Sequence, residues 1–251
     1  MGWKVFASSV IGTGHVREGT KCQDKHRFRI GPGPNLVVAV ADGAGSSQFA
    51  DIGAEMVALH SSFLLQRDLA NGEAPGCAVL QRAFTASREN LLALNDGLRL
   101  RPGYERMELG HLACTLILLA VSKDTLAIAQ VGDGTVVAQR PGGHLERFSN
   151  PRTSEYVNET VFVTSENYLE AFTFRSLPCE GLGAFAIMTD GLESLAINYR
   201  TREPERAFFD PLFEFARTAS ADDAFLQHLL DREEINERTN DDKTLVIATR
   251  T

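Results

Sequence analysis

The stretch Leu36-Val37-Val38-Ala39-Val40-Ala41-Asp42-Gly43-Ala44-Gly45-Ser46 decides how this chain is read. The apolar run from Leu36 to Ala41 has the length and the Val content of a buried strand. It stops on a carboxylate followed by small residues. Two more runs stop the same way: Leu126 to Gly132 before Asp133-Gly134, and Ala184 to Thr189 before Asp190-Gly191. A fourth acidic pair, Asp241-Asp242, stands just before the last apolar run, Thr244 to Ala248. A carboxylate at the mouth of a buried strand is held rigidly yet reaches the surface. Several of them converging would make an all-oxygen site for hard divalent metals.

Asp-Gly is also a common hairpin turn signal. The segment after Asp42 has too many small residues for a two-residue hairpin, and a helical pattern follows it. For Asp133-Gly134 both readings stand, metal ligand and hairpin turn.

Upstream of this strand, His26 to Ile30 reads as its antiparallel partner across the turn cluster Gly31-Pro32-Gly33-Pro34-Asn35. Downstream, Ile52, Met56, Leu59 and Phe63 fall at helical spacing, as do Leu80, Phe84, Ser87, Leu91 and Leu94. The breaker Asn71 to Gly76 joins these two amphipathic helices. Trp3 to Val10 reads as a strand and Gly12 to Lys21 as a polar loop. Leu112–Val121, Leu126–Val131 and Thr135–Gln139 read as a meander with turns at Lys123-Asp124 and Asp133-Gly134. A half-buried strand holds Phe172 and Phe174, and Ala184–Thr189 is another strand. Two late helices follow, one on Phe208, Leu212, Phe215 and Ala219 with Pro211 inside it, the other on Phe225, Leu226, Leu229 and Leu230 with Ser220 placed as its cap. Thr244–Thr249 closes as a strand. The expected fold is α+β, with two antiparallel sheets face to face and helices outside, in a single domain over residues 1–251.

The chain has 251 residues, 43% hydrophobic and 23% charged, as expected of a soluble globular protein. A net charge of −8 argues against general affinity for nucleic acid or anionic membrane, so neither is expected as a partner. No apolar stretch approaches the ~20 residues of a membrane span, and the N-terminus lacks a signal-peptide core, so a cytoplasmic protein is expected. Cys22, Cys77, Cys114 and Cys179 are scattered without a C-x-x-C, so neither a zinc ribbon nor a redox motif is supported; Cys77 and Cys114 are expected as core thiols. The histidines show no H-x-x-x-H spacing, so a zinc hydrolase is not supported. Gly14 to Lys21 approaches a P-loop, but its Lys and Thr are in the wrong order for phosphate and Mg²⁺.

Read in order, the motifs resemble the metal-dependent protein serine/threonine phosphatases of the PP2C class, in their divergent bacterial branch. The matching stretches are His15 to Asp24, Val38 to Ser46, Cys114-Thr115-Leu116, Val131 to Gly134, Met188 to Gly191 and Asp241 to Val246. The resemblance covers nearly the whole chain. It implies a four-layer αββα sandwich, two antiparallel sheets flanked by helix pairs, with the metal site at one end. It implies two divalent ions, Mn²⁺ or Mg²⁺, held by Asp24, Asp42, Gly43 through its carbonyl, Asp190 and Asp241. Asp42 would bridge the two ions and, with Asp190, carry the catalysis. A metal-bridging hydroxide would attack the phosphorus of phosphoserine or phosphothreonine, with Arg17 binding the substrate phosphate. Phosphoprotein substrates and an opposing serine/threonine kinase are the implied partners.

The sequence departs from the family pattern at several places. Gln23 stands where eukaryotic members have Glu. Ala44 stands where they have a His proposed as general acid, so the leaving group takes its proton from water or from another residue such as His15. Bacterial members often carry a third metal on two further carboxylates; Asp133 matches one, and Glu193 stands near the other. The family's mobile flap has no recognisable counterpart, and 152–170 occupies its general place. These losses also motivate a rival reading, a catalytically silent binding or regulatory module that keeps the fold.

Overall fold

The computed structural model describes residues 2–148, 160–218 and 223–251. Residues 152–159 of the segment expected in place of the flap, and the expected cap Ser220 with Ala219, lie outside the described residues.

The strands are β1 (Trp3–Val10), β2 (Lys25–Ile30), β3 (Leu36–Ala41), β4 (Leu116–Val121), β5 (Thr125–Val131), β6 (Thr135–Gln139), β7 (Leu145–Arg147), β8 (Thr173–Pro178), β9 (Ala184–Met188) and β10 (Lys243–Arg250). They form two five-stranded sheets, β1-β10-β9-β6-β7 and β2-β3-β4-β5-β8. Every pairing is antiparallel. The helices are α1 (Thr13–Glu18), α2 (Ala50–Ala70), α3 (Cys77–Arg99), α4 (Glu193–Ala196), α5 (Arg206–Thr218), α6 (Asp223–Leu230) and α7 (Glu233–Asn236).

Side-chain alternation along the strands explains why the apolar runs are unbroken. In β3, Val38 and Val40 face the other sheet and meet a core that includes Ile117, Phe185, Ile187 and Val246. Val37, Ala39 and Ala41 face the opposite way, under Val57, Leu65, Leu80 and Phe84 of α2 and α3. In the second sheet, Phe6, Met188, Leu245 and Ile247 take the outer face and pack on Phe209, Phe213, Leu226 and Leu230 of α5 and α6. A strand covered on both faces must be apolar at every position. The layers run helices, sheet, sheet, helices, as expected.

Four local expectations are corrected. Thr135–Gln139 is a strand, but β5 and β6 belong to different sheets, so Asp133-Gly134 carries the chain between sheets and is no hairpin turn. The loop Gly12 to Lys21 contains α1. Cys77 is exposed, whereas Cys114 is buried as expected. Finally, α2 buries Gly53, Ala54, Val57, Ala58 and Leu65 and leaves Ile52, Leu59 and Phe63 exposed. The helix lies so close that a Cβ on Gly53 would sit 2.1 Å from the Leu112 carbonyl oxygen. Small residues therefore turn inward and large ones outward.

Candidate metal centre

Each candidate carboxylate sits where a strand begins or ends. Asp42 follows β3, Asp133 links β5 to β6, Asp190 follows Thr189 at the end of β9, Asp24 precedes β2, and Asp241 precedes β10. Asp42, Asp133 and Asp190 converge: each offers a carboxylate oxygen, and these oxygens all lie within 4.8 Å of one another. Asp24 and Asp241 are near enough for their charges to act on Asp42 as well.

The backbone around Asp42 is fixed by Thr115. Its hydroxyl accepts from the Asp42 N–H at 3.0 Å, and its own N–H donates to the Asp42 carbonyl at 2.7 Å. Gly43 is bridged to Cys114. A side chain there would meet Ala50 and Gln23 at 2.9 Å, so close packing is what demands glycine after this Asp. At Gly191 the demand is stronger still, with a Cβ placed 1.9 Å from the Asp242 carbonyl oxygen.

Asp24 is buried and only 1% exposed. Its Oδ2 accepts from the Thr189 hydroxyl at 2.7 Å, while its Oδ1 has no protein partner among the described residues. Burial pushes its carboxyl up to about 7; the Thr189 hydroxyl opposes this and the Asp242 and Asp190 charges add to it. Burial, then the charges of Asp133 and Asp241, push Asp190 up to about 6 against a hydrogen bond with Asp42. Burial and the charges of the four other carboxylates hold Asp42 well above the usual range. Burial also raises Asp241. Carboxylates crowded this closely repel one another and favour protonation. A hard divalent cation would relieve that repulsion with oxygen ligands already in place, so these residues fit the metal centre.

Asp241 and Asp242 have separate tasks. Asp241 is exposed, and its Oδ1 accepts from the Asp242 N–H at 2.8 Å. Asp242 is buried and accepts from the Gly12 N–H at 2.6 Å and from the Gln23 N–H at 2.5 Å. It ties the N-terminal segment to β10.

The family model described as Protein phosphatase 2C matches residues 11–231. The chain belongs to the protein phosphatase 2C family. It is 31% identical to serine/threonine-protein phosphatase 3 of Escherichia coli K12, over 99% of this chain and 98% of the relative. The serine/threonine phosphatase Stp1 of Staphylococcus aureus has the same fold, with a TM-score of 0.64, 11% identity, and 99% and 95% of the two chains covered. So has the serine/threonine phosphatase PstP/Ppp of Mycobacterium tuberculosis, with a TM-score of 0.63, 17% identity, and 98% of each chain covered. The protein is a metal-dependent protein serine/threonine phosphatase, and nothing favours a silent module.

The remaining candidates in this phosphatase sit less simply. Arg17 is exposed on α1 and donates Nε–H to the Thr13 carbonyl at 3.0 Å; no contact among the described residues joins it to the carboxylates. Glu193 lies on Arg147 at 2.7 Å, with Arg202 at 3.7 Å, so serving a metal would break a half-buried ion pair. Thr160, within the expected flap region, donates its hydroxyl to Asp133 Oδ2 at 2.8 Å. Beside the site, burial and then the Asp242 and Asp24 charges push the Cys22 thiol up to about 12, which leaves it a poor nucleophile. Sequence reasoning missed the hydroxyls of Thr115 and Thr189 and the tie made by Asp242. Thr115 stands in the matched stretch Cys114-Thr115-Leu116 and Thr189 stands before Asp190, and neither place marks the role of the hydroxyl. No helix among the described residues is long and apolar enough to cross a membrane.

Proposed function

We propose that this phosphatase hydrolyses phosphoserine and phosphothreonine in proteins with two divalent ions, Mn²⁺ or Mg²⁺, held by Asp42, Asp190, Asp241 and the Gly43 carbonyl, with Asp24 directly behind. It acts in the cytoplasm and opposes a serine/threonine kinase. The observation that carries the proposal is the convergence of the Asp42, Asp133 and Asp190 oxygens within 4.8 Å. When bound, the ions supply a nucleophilic water at neutral pH and charge to neutralise the phosphoryl group.

The chain's own residues do the rest. Asp42 and Asp190 hold their charges at fixed strand ends, so little reorganisation is needed on binding. Thr115 holds the Asp42 backbone at both N–H and carbonyl. Thr189 orients Asp24 while its own oxygen accepts from the Thr244 N–H at 3.0 Å. Arg17 keeps both Nη groups for phosphoryl oxygens, since its hydrogen bond among the described residues uses Nε. Asp133 contributes a third metal position, with Thr160 as its neighbour.

The test is hydrolysis of p-nitrophenyl phosphate and of a phosphothreonine peptide by the full chain. Exhaustive chelation should abolish both activities, and Mn²⁺ should restore them. Asp42→Asn should be the most damaging single change. Activity that survives chelation overturns the proposal.

A further inference from the structure

A cavity of about 870 Å³ opens directly beside Asp190. Its volume is that of a ligand site, roughly 300–1,000 Å³. Leu195, Ile197, Ala207 and Phe208 give it apolar surface, and Tyr199, Arg202 and Arg238 give it aromatic and cationic surface. Because it starts at a candidate metal ligand, a chain whose phosphate reached that ligand would run its neighbouring residues through the cavity.

The wall that carries Tyr199 and Arg202 is preformed. Ile197 is bridged to Pro204. The Asn198 N–H donates to the Glu203 carbonyl at 2.9 Å, and the Arg202 N–H donates to the Asn198 carbonyl at 2.8 Å. The Asn198 side chain accepts from the N–H groups of Arg200 and Thr201 at 3.0 Å each. Arg202 itself stands at φ 61°, a left-handed conformation that a side chain of this size seldom adopts. Tyr199 is 87% exposed, held out from the surface without packing of its own.

The cavity is lined by three carboxylates, Asp190, Glu193 and Glu205, and by two guanidinium groups, Arg202 and Arg238. The acidic lining groups already have partners: Glu193 has Arg147, Glu205 accepts from Asn198 Nδ2 at 2.7 Å, and Asp190 belongs to the metal cluster. Arg238 is anchored by donating to the Ser194 carbonyl at 2.9 Å and has no carboxylate partner among the described residues. Arg202 reaches Glu193 only at 3.7 Å, and Arg147 is the nearer partner of that carboxylate. In a chain of net charge −8, a guanidinium group such as that of Arg238, with no carboxylate partner among the described residues, is a local exception beside the reaction centre.

We propose that this cavity receives the residues flanking the phosphorylated serine or threonine, and that Arg202 and Arg238 select substrates with acidic side chains there. The proposal rests on the phosphatase reading and adds its substrate class. Tyr199 covers the peptide, and the two guanidinium groups pair with its carboxylates.

The experiment compares kcat/KM of the Mn²⁺-loaded full chain on a Glu-flanked phosphothreonine peptide, on its Gln-flanked isostere and on p-nitrophenyl phosphate. The Glu peptide should be preferred over the Gln peptide by about tenfold, from two partly exposed charge pairs at a few-fold each. In Arg202→Gln/Arg238→Gln that preference should vanish. Arg202→Gly guards against misfolding, because glycine suits the left-handed position; it should melt no lower than the parent and still lose part of the preference. Equal rates on the two peptides in the parent, or a preference that survives in the double variant, overturn the proposal. If the two peptides are hydrolysed equally while p-nitrophenyl phosphate is turned over, only the cavity assignment falls. If Mn²⁺ supports no turnover of any substrate, the phosphatase reading falls, and this proposal with it.

Discussion

Nδ1 of His15 lies 2.9 Å from Oδ1 of Asp242, the same oxygen that accepts from the Gly12 N–H. Asp242 thus anchors the segment from Gly12 to Gln23, while Asp241 beside it makes no such tie and is the one proposed above as a metal ligand. The two neighbours should fail differently when changed. Asp242→Asn replaces a buried double acceptor with a group that can turn only one oxygen toward two N–H donors. It should cost about 2–4 kcal/mol of stability. Asp241→Asn removes charge from a repelling cluster, so the metal-free protein should melt no lower than the parent. Its Mn²⁺-supported kcat should fall by more than about 100-fold, beyond the loss usual for outer-shell partners. Thermal melts of both variants without metal, with activity at saturating Mn²⁺, check this. Reversed phenotypes would show that Asp242 is the ligand.

The second edge of His15 faces the turn after Asp42, with Nε2 lying 3.9 Å from where a Gly45 side chain would begin. An alkoxide leaving from serine needs a proton as the bond to phosphorus breaks, whereas 4-nitrophenolate is stable without one. If His15 supplies that proton, His15→Gln should lower kcat on a phosphoserine peptide by about 100-fold, within the usual span of general acid catalysis. On p-nitrophenyl phosphate the loss should be severalfold at most. Equal losses on both substrates would instead mark His15 as a support for Asp242.

The crowded carboxylates make a pH prediction for the metal-free protein. Burial and mutual repulsion raise Asp24 to about 7, Asp190 to about 6, and Asp42 well above its ordinary value. In the unfolded chain these groups titrate near 3.9. The native state therefore binds more protons, and its stability falls as pH rises from about 4 through about 7. Chelated protein should melt higher near pH 5.5 than near pH 8 on the same ground. Saturating Mn²⁺ holds the carboxylates ionised and should remove or reverse that slope. A chelated protein whose melting temperature rises over this interval would contradict the assignment.

Much of this carboxylate cluster was legible because its members stand at the ends of apolar strands, where a carboxylate has few other reasons to stand. The two-sheet sandwich was legible for the same reason, since β3, β4, β9 and β10 are apolar on both faces. Which sheet each strand joins was not. β5 and β6 are separated by Gly132, Asp133 and Gly134 alone, as in a hairpin, yet Gly132 at φ 104° turns the chain out of one sheet and into the other. The inward face of α2 was misread because hydropathy weights large residues. Close approach to Leu112 selects small ones, and Phe63 instead lies outside under the Arg29 guanidinium, 5.7 Å from its ring centre. Hydroxyls such as Thr189 serve through distant partners, Asp24 among them, and no local pattern marks such a role.

Gln23 gives the last prediction. With its amide turned so that both atoms are satisfied, its nitrogen donates to the carbonyls of Gly43 at 3.1 Å and Ala44 at 3.3 Å. Gln23→Glu would set a carboxylate against those two oxygens, with no proton to donate. Without metal, that is a buried repulsive contact, and the variant should lose about 1–3 kcal/mol relative to the parent. With Mn²⁺ present, the same charge becomes an asset, because Glu adds a strong anionic ligand beside the Gly43 carbonyl. The rise in melting temperature on adding Mn²⁺ should therefore be larger in Gln23→Glu than in the parent, and half-maximal activity should come at a lower Mn²⁺ concentration. Metal-titrated melts and activity curves on both proteins decide it. An equal or smaller Mn²⁺ response in the variant would mean that Gln23 supports the Gly43 backbone and faces no metal.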